Sequence, residues 1–270
     1  MAVVRSLMRS AKLALYFVRF GVELAVRRPK TRQARAEWLH RFCSAAMRGL
    51  SVRLTVEGEF PARGAVISNH LSYLDIIVFA GLRPCVFCSK AEIRSWPLLG
   101  WMTTMAGTVY VERGRGGSAL EARGGMQAAA DAGLPVVFFP EGTTTNGREM
   151  LPFHSGLLAQ AMMVEEPINA AYLSYSFDEE NEAGVLLEDD VCFWGDTPML
   201  PHIFRLLGLR GLRATVRFAG APVRFSSEVI HRKRAAIEAR EAIRLLAAEA
   251  RESATGFNRT GAVVLEMHQK

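Results

Sequence analysis

Ala65-Val66-Ile67-Ser68-Asn69-His70-Leu71-Ser72-Tyr73-Leu74-Asp75 opens on a short apolar run and closes on a histidine and an aspartate. The run reads as a buried strand with His70 at its end. On a continuous helix, His70 and Asp75 would point to different faces. They converge only if the chain turns first and a helix starts near Ser72, a good N-cap. Asp75 then lies in the first helical turn, where it can orient the imidazole and stabilise its protonated form. The other ring nitrogen is left to take a proton. The same letters admit a second reading, because Ser72-x-x-Asp75 is also a capping box and His70 an ordinary loop-end histidine.

Val136-Val137-Phe138-Phe139-Pro140-Glu141-Gly142-Thr143 has the same logic about seventy residues on. An apolar strand ends in a carboxylate and a glycine, where an α/β sheet presents its substrate. Further strand candidates are Val52–Val56, Cys85–Cys88, Thr108–Val111, Ile168–Ser174, Val191–Trp194 and Ala214–Phe218. Helical patterns cover Ile76–Ala80, Ser118–Ala132, Ser155–Val164 and Glu228–Glu252, the last with Ile230, Ile237, Leu245 and Leu246 among its apolar positions. Strands alternating with helices predict an α/β fold, a mixed and largely parallel sheet flanked by helices. Residues 51–270 read as one such domain, preceded by a helical segment over 1–50.

That segment contains an apolar run, Leu13–Val26, interrupted by Arg19 and Glu23. A span needs about 20 largely apolar residues, so the run is a poor transmembrane helix. No small-x-small cleavage site follows it, as a signal peptide would require. Arg5, Arg9 and Lys12 precede it, and Arg27, Arg28, Lys30, Arg32 and Arg35 follow. Pro29 breaks the helix. A second one follows with Trp38, Leu39, Phe42, Ala46 and Leu50 at helical spacing. Basic residues beside apolar ones suit a two-helix segment lying in the headgroup layer. The competing reading is a helical hairpin packed on the following domain.

The composition, 50% hydrophobic and 22% charged over 270 residues, is that of a globular chain. A net charge of +6 favours an anionic partner. A membrane surface or an anionic metabolite fits that charge, whereas no nucleic-acid module is present and no nucleic-acid partner is expected. Cys85 and Cys88 have CxxC spacing but lie in an apolar run without a second pair, which favours buried structural thiols. Gly114-Arg115-Gly116-Gly117-Ser118-Ala119 fits a dinucleotide loop in outline, and a basic loop equally. His154-Ser155-Gly156 lacks the strained elbow of a serine hydrolase. No metal-ligand spacing such as H-E-x-x-H occurs, and no metal or bound cofactor is expected.

Together, Asn69-His70 with Asp75, Val109-Tyr110-Val111-Glu112-Arg113 and Phe139–Thr143 resemble the first three motifs of the glycerolipid (lysophospholipid) acyltransferase family, over roughly residues 50 to 220. The fourth, a proline-bearing apolar strand, is met only in part. Glu166-Pro167-Ile168-Asn169-Ala170-Ala171 keeps the first proline and has Ala170 at the second. Phe193–Asp196 followed by Leu200-Pro201-His202 resembles members that use other lysolipids.

The resemblance implies acyl transfer from acyl-CoA or acyl-carrier protein to a lysophospholipid hydroxyl. 1-Acyl-sn-glycerol-3-phosphate, giving phosphatidic acid, is the expected acceptor, with lyso-ornithine lipid the alternative. His70 would be the general base and Asp75 its orienter. The resemblance gives Arg113 and Glu141 roles in holding the acceptor. A guanidinium suits phosphate, while a carboxylate better accepts from a hydroxyl or orients Arg113. Gly142 allows close backbone approach, Thr143 adds a hydroxyl, and Lys90 either adds positive charge or is a solvated lysine. The expected location is a membrane, at its cytoplasmic face. Two other readings stand beside this one: a nucleotide-dependent oxidoreductase using the Gly114 loop, and a peripheral membrane protein without catalysis.

Overall fold

The strand–turn–helix predicted from Ala65 onward is at the centre of the sheet. The computed structural model describes residues 1–95, 99–112, 117–226 and 231–256. Seven strands are described: β1 (Arg53–Glu57), β2 (Ala65–Ser68), β3 (Val86–Lys90), β4 (Val109–Val111), β5 (Val136–Phe138), β6 (Ile168–Phe177) and β7 (Leu212–Phe218). Their order is β1-β7-β6-β2-β5-β3-β4. Every pairing is parallel except β6 with β7. The sheet is therefore mixed and largely parallel, as the alternation of patterns predicts. Ala65 pairs with both Val136 and Ile168, so β2 and β5 end level with each other and deliver their following loops to one edge.

Helices cover both faces because the central strands are apolar on both sides. Val66, Val137, Leu173 and Val216 face α1 (Ala2–Arg27), α2 (Arg32–Leu50), α3 (Leu74–Leu82) and α8 (Met199–Gly208). Ile67, Phe138, Ile168 and Ala170 face α5 (Ser118–Asp131), α6 (Ser155–Met162) and α9 (Arg232–Gly256). Two shorter helices, α4 (Leu99–Met105) and α7 (Leu187–Asp190), lie in the connections.

The first fifty residues are joined to the α3 side of the core. Trp38 Nε1 donates to the Phe20 carbonyl at 3.1 Å, in a buried bond between α2 and α1. Phe42 packs edge-on against Phe17 and Phe20 and stacks on Trp38. The opposite face of α1 exposes Val4, Leu7, Met8, Leu15, Val18 and Val22. Arg5 and Arg9 donate to carbonyls of Leu207, Gly208 and Leu209 at the end of α8, acceptors that a helix terminus leaves open.

Three expectations are corrected. Val191–Trp194 is not a strand. The acidic Leu187–Asp190 turn becomes helical, and the amides of Val191 and Cys192 close onto the Leu187 carbonyl. A four-residue apolar run cannot by itself distinguish a strand from a buried loop. On α9, Ile237 and Leu245 are exposed, and the buried face is Ala235, Ala236, Ala239, Ile243 and Leu246. Alanines let the helix approach β6 closely, so the largest side chains did not mark its core face. The predicted start of that helix, Glu228–Ile230, lies outside the described residues. Finally, Tyr73 rather than Ser72 is the N-cap of α3. Cys85 and Cys88 are buried on opposite faces of the sheet, because residues three apart in a strand alternate sides.

Gly64 sits where β2 enters the sheet, at φ +82°. A Cβ there would collide with the Pro167 carbonyl oxygen of the neighbouring strand. Gly64→Ala should destabilise the protein by about 3 kcal/mol, because both backbone conformation and space are lost. Urea titration measures this; an unchanged midpoint would show that the β2 entry has slack.

Candidate active site

β2 ends in a side-chain splice. Asn69 Oδ1 accepts from the Leu173 amide at 2.8 Å and Asn69 Nδ2 donates to the Leu173 carbonyl at 2.9 Å. The amide side chain thus continues the β2–β6 ladder while the main chain turns away at His70. Three residues later α3 begins.

His70 Nδ1 lies 2.7 Å from Asp75 Oδ2. The same oxygen accepts from the amides of Leu71 at 2.7 Å and Ser72 at 3.0 Å. Asp75 Oδ1 accepts from the Tyr175 hydroxyl at 2.7 Å. Asp75 is fully buried, and its carboxylate receives four donors. One side chain thus supplies the carboxylate half of a capping box and the partner of the imidazole. The cap runs from Asp75 back to Ser72 N–H, and Ser72 Oγ has no hydrogen-bond partner among the described residues.

An acceptor-only carboxylate at Nδ1 sets the tautomer: Nδ1 carries the proton and Nε2 the lone pair. The ring stacks on Phe139 at 3.9 Å between centroids. Its side chain keeps 16% exposure, and Nε2 makes no hydrogen bond among the described residues. This arrangement can take a proton from a bound hydroxyl and hold the resulting imidazolium.

Glu141 is buried. Its Oε1 accepts from the His70 amide and its Oε2 from the Leu151 amide, each at 2.8 Å. Burial pushes its carboxyl above the usual range, opposed by those two donors. Glu141 therefore binds the loop after β5 to the histidine turn. Gly142 takes φ +67°, and its amide returns to Phe139 to close the turn. Thr145 N–H donates to the His70 carbonyl at 2.9 Å, a second clasp on the same turn.

The other sequence candidates lie farther out. Thr143 is exposed beyond the turn. Lys90 is exposed at the end of β3, which borders β5, so it stands on the same sheet edge about two strand spacings, ~10 Å, from the histidine turn. Arg113 and Gly114–Gly116 lie outside the described residues.

Sequence reading missed Tyr175 and the Asn69 splice. Tyr175 continues the alternation of Ala171 and Leu173 on the α3 side, one residue past the predicted end of the strand. Burial first, then the charge of Asp75, push its phenol well upward, so it stays a donor. Tyr73 was missed as well. Its hydroxyl meets His202 Nδ1 at 3.0 Å, while His202 Nε2 lies 3.0 Å from the Cys192 carbonyl. Nε2 must donate to the carbonyl, so Nδ1 accepts from Tyr73 and the buried ring is neutral.

A family model described as Acyltransferase matches residues 52–174. A lyso-ornithine lipid O-acyltransferase of Pseudomonas aeruginosa is 34% identical over 259 residues, covering 91% of this chain and 94% of that protein. A 1-acyl-sn-glycerol-3-phosphate acyltransferase of Neisseria gonorrhoeae is 36% identical over 121 residues, covering 45% of this chain and 47% of that protein. The crystal structure of the 1-acyl-sn-glycerophosphate acyltransferase PlsC from Thermotoga maritima shares the fold, with a TM-score of 0.60 over 92% of this chain and 98% of that one, at 21% identity. The chain belongs to the lysophospholipid acyltransferase family and is an acyltransferase.

The His202 contacts predict a pH effect on stability. Desolvation lowers its folded pKa below the ordinary 6.5, helped by nearby Arg205 and opposed by the Cys192 carbonyl and Asp190. Stability from the neutral ring is therefore present above 6.5 and lost as pH falls through the lowered folded value. Thermal midpoints taken between about pH 7.5 and 5 should fall more steeply for the wild type than for His202→Gln. Parallel curves would remove His202 as the cause.

Proposed function

We propose that this acyltransferase moves a fatty acyl group from a thioester to the free hydroxyl of a lysolipid, with His70 as general base. The observation that carries the reading is the 2.7 Å Nδ1–Asp75 hydrogen bond, which leaves the Nε2 lone pair without a partner among the described residues on a side chain 16% exposed. Nε2 takes the hydroxyl proton as the oxygen attacks the thioester carbonyl. The carbon–sulfur bond then breaks, and the thiolate leaves with that proton returned by His70. Asp75 holds the ring and stabilises its positive charge between the two proton transfers. The nucleophile belongs to the substrate, so no serine or cysteine of the protein is needed. The thioester donor, coenzyme A or acyl carrier protein, is a substrate rather than a resident cofactor.

For the acceptor, likeness along nearly the whole chain to a lyso-ornithine lipid acyltransferase supports lyso-ornithine lipid. The partial fourth motif at Ala170 loosens the assignment to 1-acyl-sn-glycerol-3-phosphate without naming another acceptor. The sequence-based preference for 1-acyl-sn-glycerol-3-phosphate becomes the second reading, favoured by the shorter match to enzymes of that name.

Both acceptors are amphiphiles, and the exposed apolar side of α1 with Leu200 and Phe204 of α8 suits the headgroup layer of a membrane. No helix among the described residues is long and apolar enough to cross a membrane. The membrane reading concerns a helix lying on the membrane surface, and the cytoplasmic face is the side proposed.

His70→Ala should lower turnover by roughly 100- to 10,000-fold while preserving the circular dichroism spectrum. The assay supplies lyso-ornithine lipid and lysophosphatidic acid in detergent, each with acyl-CoA and with acyl-carrier protein. Near-wild-type turnover in the variant would sink the base assignment, and faster transfer to lysophosphatidic acid would reverse the acceptor preference. Replacing Leu7, Val18 and Val22 together by Ser should weaken liposome flotation about tenfold or more, given the apolar area removed from the bilayer. Undiminished flotation would refute the membrane role of α1.

A further inference from the structure

A cavity of about 700 Å³ opens beside the histidine turn at the end of the sheet, between α9 on one side and Leu71, Tyr175 and Cys192 on the other. That volume is in the usual range for a ligand pocket, about 300–1,000 Å³. Its floor is Tyr172 and Ser174, the β6 residues that face α9, and its inner end is Asn69 and Glu141. Its walls carry four arginines: Arg148 from the loop after β5, and Arg240, Arg244 and Arg251 from one side of α9.

The arginines are unevenly occupied. Arg148 pairs with Glu188 across the rim. Arg240 donates through Nη2 to the Met150 carbonyl, while its buried Nε has no partner among the described residues. The carboxylate nearest Arg244 is Glu241, at 3.9 Å. Of the three glutamates in the lining, Glu141 is committed to two backbone amides and Glu188 to Arg148, while Glu149 stands exposed at the rim. Arginines still outnumber glutamates, and the buried Arg240 Nε is a guanidinium donor left over, suited to phosphate oxygens.

The two faces of the sheet are different kinds of surface. The apolar side of α1, with Leu200 and Phe204 of α8, lies on the α3 face. The arginine wall of the cavity lies toward α9. A bilayer-held acceptor would reach His70 from the first face, and a water-soluble reactant from the second.

We propose that the cavity receives the phosphate-bearing phosphopantetheine carrier of the acyl thioester; this rests on the acyl-transfer reading. The thioester end points toward Asn69 and Glu141, next to His70, and the phosphates meet Arg240, Arg244 and Arg251. Donor and acceptor then enter from opposite sides of one sheet edge. The chemistry is common to coenzyme A and acyl carrier protein.

The test uses the full chain with Arg244→Gln and Arg251→Gln, both at exposed positions, and Arg240→Gln. Arg232→Gln, on the same helix but outside the cavity, is the control. Wild-type turnover first tests acyl transfer itself. Donor and acceptor KM are then measured separately, and desulfo-CoA binding is measured by calorimetry, which needs no turnover. Each cavity variant should raise donor KM and weaken desulfo-CoA binding about tenfold, the scale of one charge-assisted contact, with acceptor KM unchanged. Arg232→Gln should do neither. Comparing acyl-CoA, its 3′-dephospho form and acyl-carrier protein tells which phosphates are read. Two outcomes would overturn the assignment: a rise in KM for lysophosphatidic acid but not for phosphate-free lyso-ornithine lipid, with donor KM unmoved, or no change in any constant. Loss of turnover in the wild type with desulfo-CoA binding retained would reject the acyl-transfer reading and leave the cavity as a phosphopantetheine site.

Discussion

The Asp75 carboxylate is the group on which the rest of the site depends. It is fully buried and receives donors from His70, Leu71, Ser72 and Tyr175. A carboxylate removed from water costs several kcal/mol unless its lone pairs are filled. Meeting that requirement forces the chain between β2 and α3 into one shape and ties it to β6. The imidazole orientation follows from the same requirement. The helix cap and the histidine partner are one interaction seen from two sides.

Glu141 does for the second loop what Asp75 does for the first. Both carboxylates are buried beside one histidine, yet only Asp75 touches the imidazole. Glu141 accepts the amides of His70 and Leu151, so the two loops that leave β2 and β5 are bound to each other rather than merely adjacent. The parallel register of β2 and β5 makes this possible by ending both strands at one level. The exposed apolar stripe of α1 lies on the α3 side, and the arginine wall of the cavity is on the α9 side. A reaction between a lipid and a water-soluble thioester has use for such a division.

Much of the scaffold was legible in the letters. Short apolar runs marked the central strands to within a few residues, because a strand buried on both faces must be apolar throughout, and the alternation of Val52, Leu54 and Val56 marked β1, which has one exposed face. The hydrogen bond between His70 and Asp75 followed from the strand-to-helix turn. Other features were not legible. In the Val191–Trp194 run, Val191 and Cys192 are buried in a loop and Trp194 is exposed, so its apolar letters do not mark a strand. The α9 core face is built of alanines, which hydrophobicity ranks below the exposed Ile237 and Leu245. Tyr175 lies a hundred residues from Asp75, and nothing local announces their contact.

The sequence by itself determined the fold class, the turn that joins His70 to Asp75 and the family resemblance, since each rests on spacing within a few residues or on patterns repeated strand by strand. Tertiary structure alone decided that Glu141 faces backbone amides, that Asn69 splices β2 to β6, that Tyr175 completes the aspartate and that four arginines enclose one cavity. These are contacts between segments far apart in the chain. Which of them form is set by strand register and helix packing, quantities that no local stretch of residues contains.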